Sequence, residues 1–386
     1  MAKSPAATAA AIKPDPFEQP KGSQPTAPNV PTSFLLVQFW RDIFGKEVQS
    51  AATYSYLWMA DQMGHVALGI ILQFALTFVF QYLFGMRDAW ANGISLLGIC
   101  CIVAFWEYRA YTVAAQNADS GIFPLDKTLL RDNAVIATAY MVFGVLAGYA
   151  FHLTGWWGAL LFLIALGLSV YCAPYWLRQK IIWQKAALPY LSRLADLYAP
   201  VPKEQAEAIQ DLIDTHPGAP PWRQVIIAGP VGSGRTPMVT GLGTDLAFKQ
   251  YKVRYISFDA LLEIAAQFET GHKTPPVGTW GPKNIFYWPW FEAQVLLIDD
   301  ISPIVGAGMK NMGDRVFERV LTEGLGPLQN ELSNRHSVWV FALDEDAGED
   351  ACQALLGRYS TAIQDYCKSD QPPIVVRLPL PTRQME

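Results

Sequence analysis

Between Asn133 and Leu177 the chain carries no Asp, Glu, Lys or Arg. Two further runs, 62–86 and 89–106, are equally free of charge. A membrane-spanning helix needs about 20 mostly apolar residues. Lipid offers no partner to an unpaired backbone group, so runs of this kind read as helices. The first run predicts a span near 66–84 and the second a span near 91–106, extending toward 111. The long run is divided by His152, Leu153, Thr154 and Gly155, and predicts two spans, 134–151 and 156–176. Hydrophobic residues make up 51% of the chain and charged residues 16%. That is well below the roughly 25% charged content of soluble domains, and the deficit is concentrated in these runs.

Orientation follows from Lys and Arg near the span ends. Arg41 and Lys46 precede the first span; Arg109, Lys127 and Arg131 lie between the second and third; Arg178, Lys180 and Lys185 follow the fourth. The first–second turn holds Arg87 beside Asp88, and the third–fourth turn holds no Lys or Arg. Both termini are therefore expected in the cytoplasm, in a multi-pass protein of a bacterial inner membrane. Trp90, Trp106, Trp156, Trp157 and Trp176 fall at span ends, where amphipathic rings favour the interface. Residues 1–33 are rich in Ala, Pro, Lys and Ser without an apolar core, which predicts a disordered tail rather than a cleavable signal. Residues 34–63 mix aromatics with Arg41, Asp42, Lys46 and Glu47 and predict an amphipathic segment, on the membrane surface or against the cytoplasmic part. The five cysteines have no CxxC or metal-ligand spacing and read as reduced thiols.

After Arg178, Ile181, Ile182, Leu188, Leu191, Leu194 and Leu197 recur among polar residues, predicting a juxtamembrane helix that Pro200 and Pro202 end. A short helix over 203–215 and a linker, Pro217 to Pro221, complete the segment 178–221. From Trp222 onward strands and helices alternate. Strands are predicted over 224–228, 253–257, 294–298, 337–343 and 374–378, and helices over 235–250, 259–268, 312–332 and 350–366. Alternation of this kind predicts a parallel sheet flanked by helices. The expected fold class is thus an α/β P-loop domain, 222–386, C-terminal to an all-α transmembrane domain, 64–177.

The P-loop expectation rests on Gly229-Pro230-Val231-Gly232-Ser233-Gly234-Arg235-Thr236, which follows the apolar run 225–228 and opens a helix. Glycines let successive N–H groups point at phosphate oxygens, and the helix that follows adds its positive end. The Thr236 hydroxyl is placed to ligate the magnesium ion of a nucleotide. A second apolar run ends in Asp299 and Asp300. Read as a plain strand, those acids sit in a solvated turn. Read with the glycine loop, Asp299 holds magnesium through water and Asp300 polarises an attacking water.

These motifs, together with 251–257 and the helix-like run from Phe258 to Leu262, resemble the AAA+ ATPases. The similarity is to the branch containing helicase loaders, transposition helpers and the bacterial replication initiator. It covers roughly Trp222 to Leu380. The resemblance implies binding of ATP or ADP with Mg2+ through Thr236 and Asp299, and hydrolysis assisted by Asp300. It places Asp344 at a polar sensor position and Arg358 at that of an arginine finger reaching a neighbouring subunit. Three departures stand out. Arg235 replaces the expected lysine with a planar, longer cation. Pro237 lacks the N–H that would meet the α-phosphate. The sequence ends soon after the fifth strand, without a helical lid. Hydrolysis is accordingly expected to be slow, partner-dependent or absent.

Phe286 to Phe291 forms an aromatic segment with three readings: core packing, an aromatic pore loop, or docking on the membrane. Of three functions, a transporter or channel gated by a nucleotide domain is the one the apolar spans disfavour, and two remain. One is a membrane-anchored AAA+-like nucleotide-binding protein that energises or gates a secretion, conjugation or envelope assembly. The other is a degenerate P-loop scaffold that organises membrane partners without hydrolysis. Protein partners in a membrane complex are expected, and the architecture permits a homo-oligomer. The spans carry no central ionisable residue, which disfavours a solute path. Residues 190–386 hold 17 Lys+Arg against 24 Asp+Glu, which disfavours nucleic acid as a partner.

Overall fold

We describe a computed structural model of the chain over residues 54–118, 121–153, 155–197, 201–214, 220–269, 290–301, 316–344 and 349–379. The expected tail 1–33, most of the segment 34–63 and the aromatic residues 286–289 lie outside the described residues.

Four long helices come first: α1 (Tyr54–Tyr82), α2 (Asp88–Asn117), α3 (Lys127–Ala150) and α4 (Trp156–Lys185). All four are long and apolar enough to cross a membrane. Between apolar helices, close backbone approach and interhelical hydrogen bonds replace the hydrophobic driving force. Both devices are present. Gly144, in the Gly144-to-Gly148 pair of α3, faces the Val66 carbonyl of α1, and a Cβ there would overlap it. Thr77 Oγ1 donates to Asn92 Oδ1 at 2.9 Å, and Gln73 Nε2 donates to the Asn92 carbonyl at 3.2 Å. These bonds tie α1 to α2 among fully buried side chains.

The α/β domain contains α5 (Lys203–Asp214), β1 (Gln224–Gly229), α6 (Arg235–Phe248), β2 (Val253–Ser257), α7 (Phe258–Glu269) and β3 (Val295–Ile301). It continues with α8 (Val316–Arg319), α9 (Gln329–Ser333), β4 (His336–Ala342), α10 (Glu349–Cys367) and β5 (Ile374–Arg377). The five strands form one parallel sheet in the order β2-β3-β4-β1-β5. The step from β1 to β2 runs one way across the sheet and every later step runs the other. Right-handed crossovers therefore place α6 on one face and the later helices on the opposite face. The core divides accordingly. Val225 and Ile227 of β1 join a cluster with α5 and α6, whereas Ile226 and Ala228 join one with α7, α8 and α10.

The first face has an unexpected component. Instead of a separate juxtamembrane helix, α4 runs unbroken through Pro174 to Lys185. Ala187 then turns to a positive φ of 56°, and the chain becomes a strap with a single 3-10 turn, Leu194–Asp196. Ile182, Trp183, Ala186, Leu188 and Leu194 are buried in the same cluster as α6. The leucines that look like one face of a continuing helix are thus sheet-covering residues of a strap. Arg193 bonds Asp245 of α6 through Nε, and the Leu194 N–H donates to the other oxygen of that carboxylate at 3.2 Å. Phe123, from the connection between α2 and α3, also enters this cluster.

Two further expectations change. The helix predicted over 312–332 is broken among the described residues into α8, a π turn (Val320–Gly324), a 3-10 turn (Gly326–Leu328) and α9. Pro327 supplies no N–H to a continuous helix, and two nearby glycines lower its propensity. Strand β3 does not stop at Ile298 but extends through both acids to Ile301.

Candidate functional site

The glycine loop joins β1 to α6 at the carboxyl edge of the sheet, where ligands of open α/β sheets bind. Gly232 has φ 84° and Gly234 has φ 88°, a left-handed conformation that side chains disfavour. Between them, Ser233 is 5% exposed and its Oγ is buried without a hydrogen-bond partner. Helix α6 begins at Arg235 directly after Gly234. Its first internal bond within the loop region runs from the Met238 N–H to the Gly234 carbonyl at 2.9 Å. First-turn N–H groups have no acceptor inside a helix. Pro237 therefore costs the fold nothing at its position, and its effect is confined to one missing donor toward a ligand.

Asp299 lies on β3, and β4 separates that strand from β1. The Leu343 N–H, just beyond β4, donates to the Gly229 carbonyl at 2.8 Å, so loop and acids share one edge. Here β3 is irregular: Ile298 pairs with Trp339 while Ile301 pairs with Phe341. Three steps on β3 match two on β4, the signature of a bulge, and bulges re-aim side chains next to functional sites. Asp300 takes up the irregularity with φ 60°. Its neighbour Asp299 is 1% exposed. Asp299 Oδ1 accepts the Asp300 N–H at 2.8 Å, and Oδ2 accepts the Tyr255 O–H at 2.8 Å.

The electrostatics couple the two halves of the site. Desolvation lowers the basicity of the half-buried Arg235, opposed by the charges of Asp299 and Asp300. The Asp300 carboxyl is raised above the usual carboxylate range, first by desolvation and then by Asp299, against the pull of Arg235. Burial followed by the Asp299 charge pushes the Tyr255 phenol far above its ordinary range. Tyr190, from the strap, is raised by burial and also feels Asp299.

The structure brings Gly229, Pro230, Val231, Gly232, Ser233, Gly234, Arg235 and Thr236 to the same edge as Asp299 and Asp300. Asp344 follows β4 at this edge and is exposed. Arg358 lies nine residues into α10, about 13 Å along the helix axis from its start. Sequence patterns missed Tyr255 and Tyr190. Tyr255 is reached only through the burial of Asp299, an acid needing a donor, and Tyr190 only through the strap that carries it; burial is a tertiary fact. Of the aromatic segment, Trp290 is buried against α7 and β4, with Phe268 edge-on at 6.4 Å, as core packing requires. Phe291 is 37% exposed.

Magnesium fits these residues in part. Each oxygen of Asp299 accepts one hydrogen bond and keeps a further lone pair. Among the described residues no three His, Cys, Asp or Glu groups are gathered as a metal cluster. A P-loop metal takes most of its ligands from water and phosphate and does not need such a cluster.

No family model matches the chain. No curated protein matches it either. Among solved structures, AMPPCP-bound DnaA from Aquifex aeolicus aligns with a TM-score of 0.27 and 16% identity. The alignment spans 46% of this chain and 46% of that chain, under half of each. A likeness of this size carries no argument.

Proposed function

We propose that this protein is a membrane-anchored, AAA+-like nucleotide-binding protein with slow or partner-dependent ATP hydrolysis. The observation that carries the proposal is the loop itself. Two left-handed glycines flank a buried, unpartnered Ser233 hydroxyl at a helix N-terminus, on the edge that holds Asp299 and Asp300. Free N–H groups and the helix dipole favour phosphate there. Arg235 supplies the positive charge, and Asp300 orients an attacking water. Thr236 and Asp299 would hold Mg2+, which neutralises charge between the β- and γ-phosphates.

A second reading, a scaffold that binds nucleotide or only keeps the fold, is favoured by specific observations. Pro237 withholds a donor, Arg235 is half-buried and its guanidinium is desolvated, and both Asp299 oxygens are engaged. Isothermal titration of the full-length protein in lipid nanodiscs with ATP and ADP, paired with phosphate release, separates the two. Binding that Gly234→Val abolishes, with slow turnover, supports the ATPase. Binding without turnover supports the scaffold. If Gly234→Val leaves wild-type affinity intact, the loop is not the site.

The four apolar helices anchor this domain, and the Lys/Arg asymmetry orients both ends to the cytoplasm of a bacterial inner membrane. A role in energising or gating a secretion, conjugation or envelope assembly follows from nucleotide chemistry tied to a membrane bundle. Arg358, on α10, suits a homo-oligomer in which it serves a neighbour.

A further inference from the structure

Strand β2 is an edge of the sheet, so some of its backbone donors face away from β3. The end of the last long helix supplies an acceptor: the Ala186 carbonyl takes the Tyr255 N–H at 2.8 Å. The same residue's phenol donates to Asp299 Oδ2 at 2.8 Å. A single residue is thus bonded through its backbone to the exit of α4 and through its side chain to the buried acid of the nucleotide edge. Two further contacts run parallel to it. Trp183 Nε1 donates to Thr244 Oγ1 on α6 at 3.3 Å, and α6 is the helix that opens with Arg235 and Thr236. The strap after α4 is clamped to α6 through Arg193 and the Leu194 N–H, both bonded to Asp245.

We propose that Tyr255 is the positioning residue that holds Asp299 for a metal-bound nucleotide and transmits occupancy of that edge to the last membrane helix. The inference rests on the nucleotide-binding proposal above. The physical reason is the small number of constraints on Asp299. Among the described residues its carboxylate is set by one main-chain donor from its own neighbour and by one side-chain donor, Tyr255. Asp299 would hold a divalent cation while sharing its carboxylate with the Tyr255 phenol, and the main chain of Tyr255 is bonded to Ala186. Donors that orient a metal-binding carboxylate typically govern affinity by 10–100-fold. Coupling is reciprocal, so α4 influences the site as much as the site influences α4.

The test uses the full chain in lipid nanodiscs. ATP affinity is measured with Mg2+ and with EDTA, and amide hydrogen exchange is followed over residues 183–197. In the wild type, Mg·ATP is expected to change exchange in that segment. Tyr255→Phe is expected to weaken affinity with Mg2+ by about ten-fold, leave affinity in EDTA unchanged, and abolish the exchange response at saturating Mg·ATP. An equal loss with and without metal, or a wild-type exchange response, overturns the proposal. Trp183→Phe keeps every Asp299 contact; it should retain the metal dependence and weaken the exchange response. If Tyr255→Phe does not fold, an unaltered response in Trp183→Phe overturns the proposal instead. A wild type that binds no nucleotide in either buffer removes the underlying site, an outcome distinct from binding without transmission.

Discussion

The two faces of the sheet are covered by different kinds of chain. The face that packs on α7, α8, α9 and α10 is closed by elements that lie between its own strands in sequence. Among the described residues the opposite face has only α6 from that source. It completes itself with the end of α4, the strap, α5 and Phe123 from the connection between α2 and α3. The first arrangement is that of an independent domain. The second makes the long helices part of the domain's core, so the bundle and the sheet share one hydrophobic unit. Motion of α4 then cannot be separated from the packing of α6, the helix that begins at the glycine loop.

The largest effect should come from cutting the shared face. A fragment starting at residue 190 loses Ile182, Trp183, Ala186 and Leu188 from the cluster. Burial of each large apolar side chain is worth about 1.5–3 kcal/mol, so their sum is comparable with the total stability of a domain, about 5–15 kcal/mol. Fragment 190–386 is expected to be aggregated or molten, and fragment 178–386 to unfold cooperatively by circular dichroism. Equal cooperativity in the two would dissolve the contrast between the faces.

On the self-contained face, Arg335 is 5% exposed and donates to the carbonyls of Trp290, Phe291, Ala293 and Glu331 and to the Glu331 carboxylate. Arg335→Ala leaves buried acceptors unpaired and should cost about 3–5 kcal/mol. The loss should appear as a lower thermal midpoint of the α/β domain, with the α1–α3 packing untouched as judged by cysteine crosslinking between the Phe74 and Phe151 positions, whose rings lie 6.4 Å apart.

A smaller effect is set by His336, at the start of β4. Its Nδ1 accepts the Arg223 N–H at 3.0 Å, Trp222 packs edge-on at 5.4 Å, and burial lowers its pKa to about 4. The unfolded chain protonates near pH 6.5, so between that pH and about 4 it binds more protons than the folded state. Stability therefore falls as pH drops through that window, by about 3 kcal/mol in full. Thermal midpoints across pH 4–7 should show the decline, and His336→Asn should flatten it. A decline of the same size in the variant would assign it to other groups.

Much of the architecture was legible along the chain because it is local. Charge-free runs marked the four long helices, and all five strands fall within a few residues of their predicted places. The loop 229–236 could be read from glycine spacing, since left-handed turns select glycine whatever surrounds them. Pro327 interrupts the helix expected over 312–332, because its ring supplies no N–H. Beyond these elements, local pattern carries no information. The leucines at 188 and 194 have a spacing that suits either a helix or a strap, and only the empty face beside α6 decides between them.

The sequence by itself determined which segments are long and apolar enough to cross a membrane, which alternate as strand and helix, and where phosphate-compatible backbone lies. These properties depend on residues within a few positions of one another. Only the tertiary structure decided that β4 separates the loop strand from the acid strand, and that a bulge turns Asp300. It alone placed Tyr255 between Asp299 and the end of α4. Each of these joins groups far apart in the chain. Their pairing is set by burial and by the need to satisfy buried polar atoms, which no short-range spacing encodes.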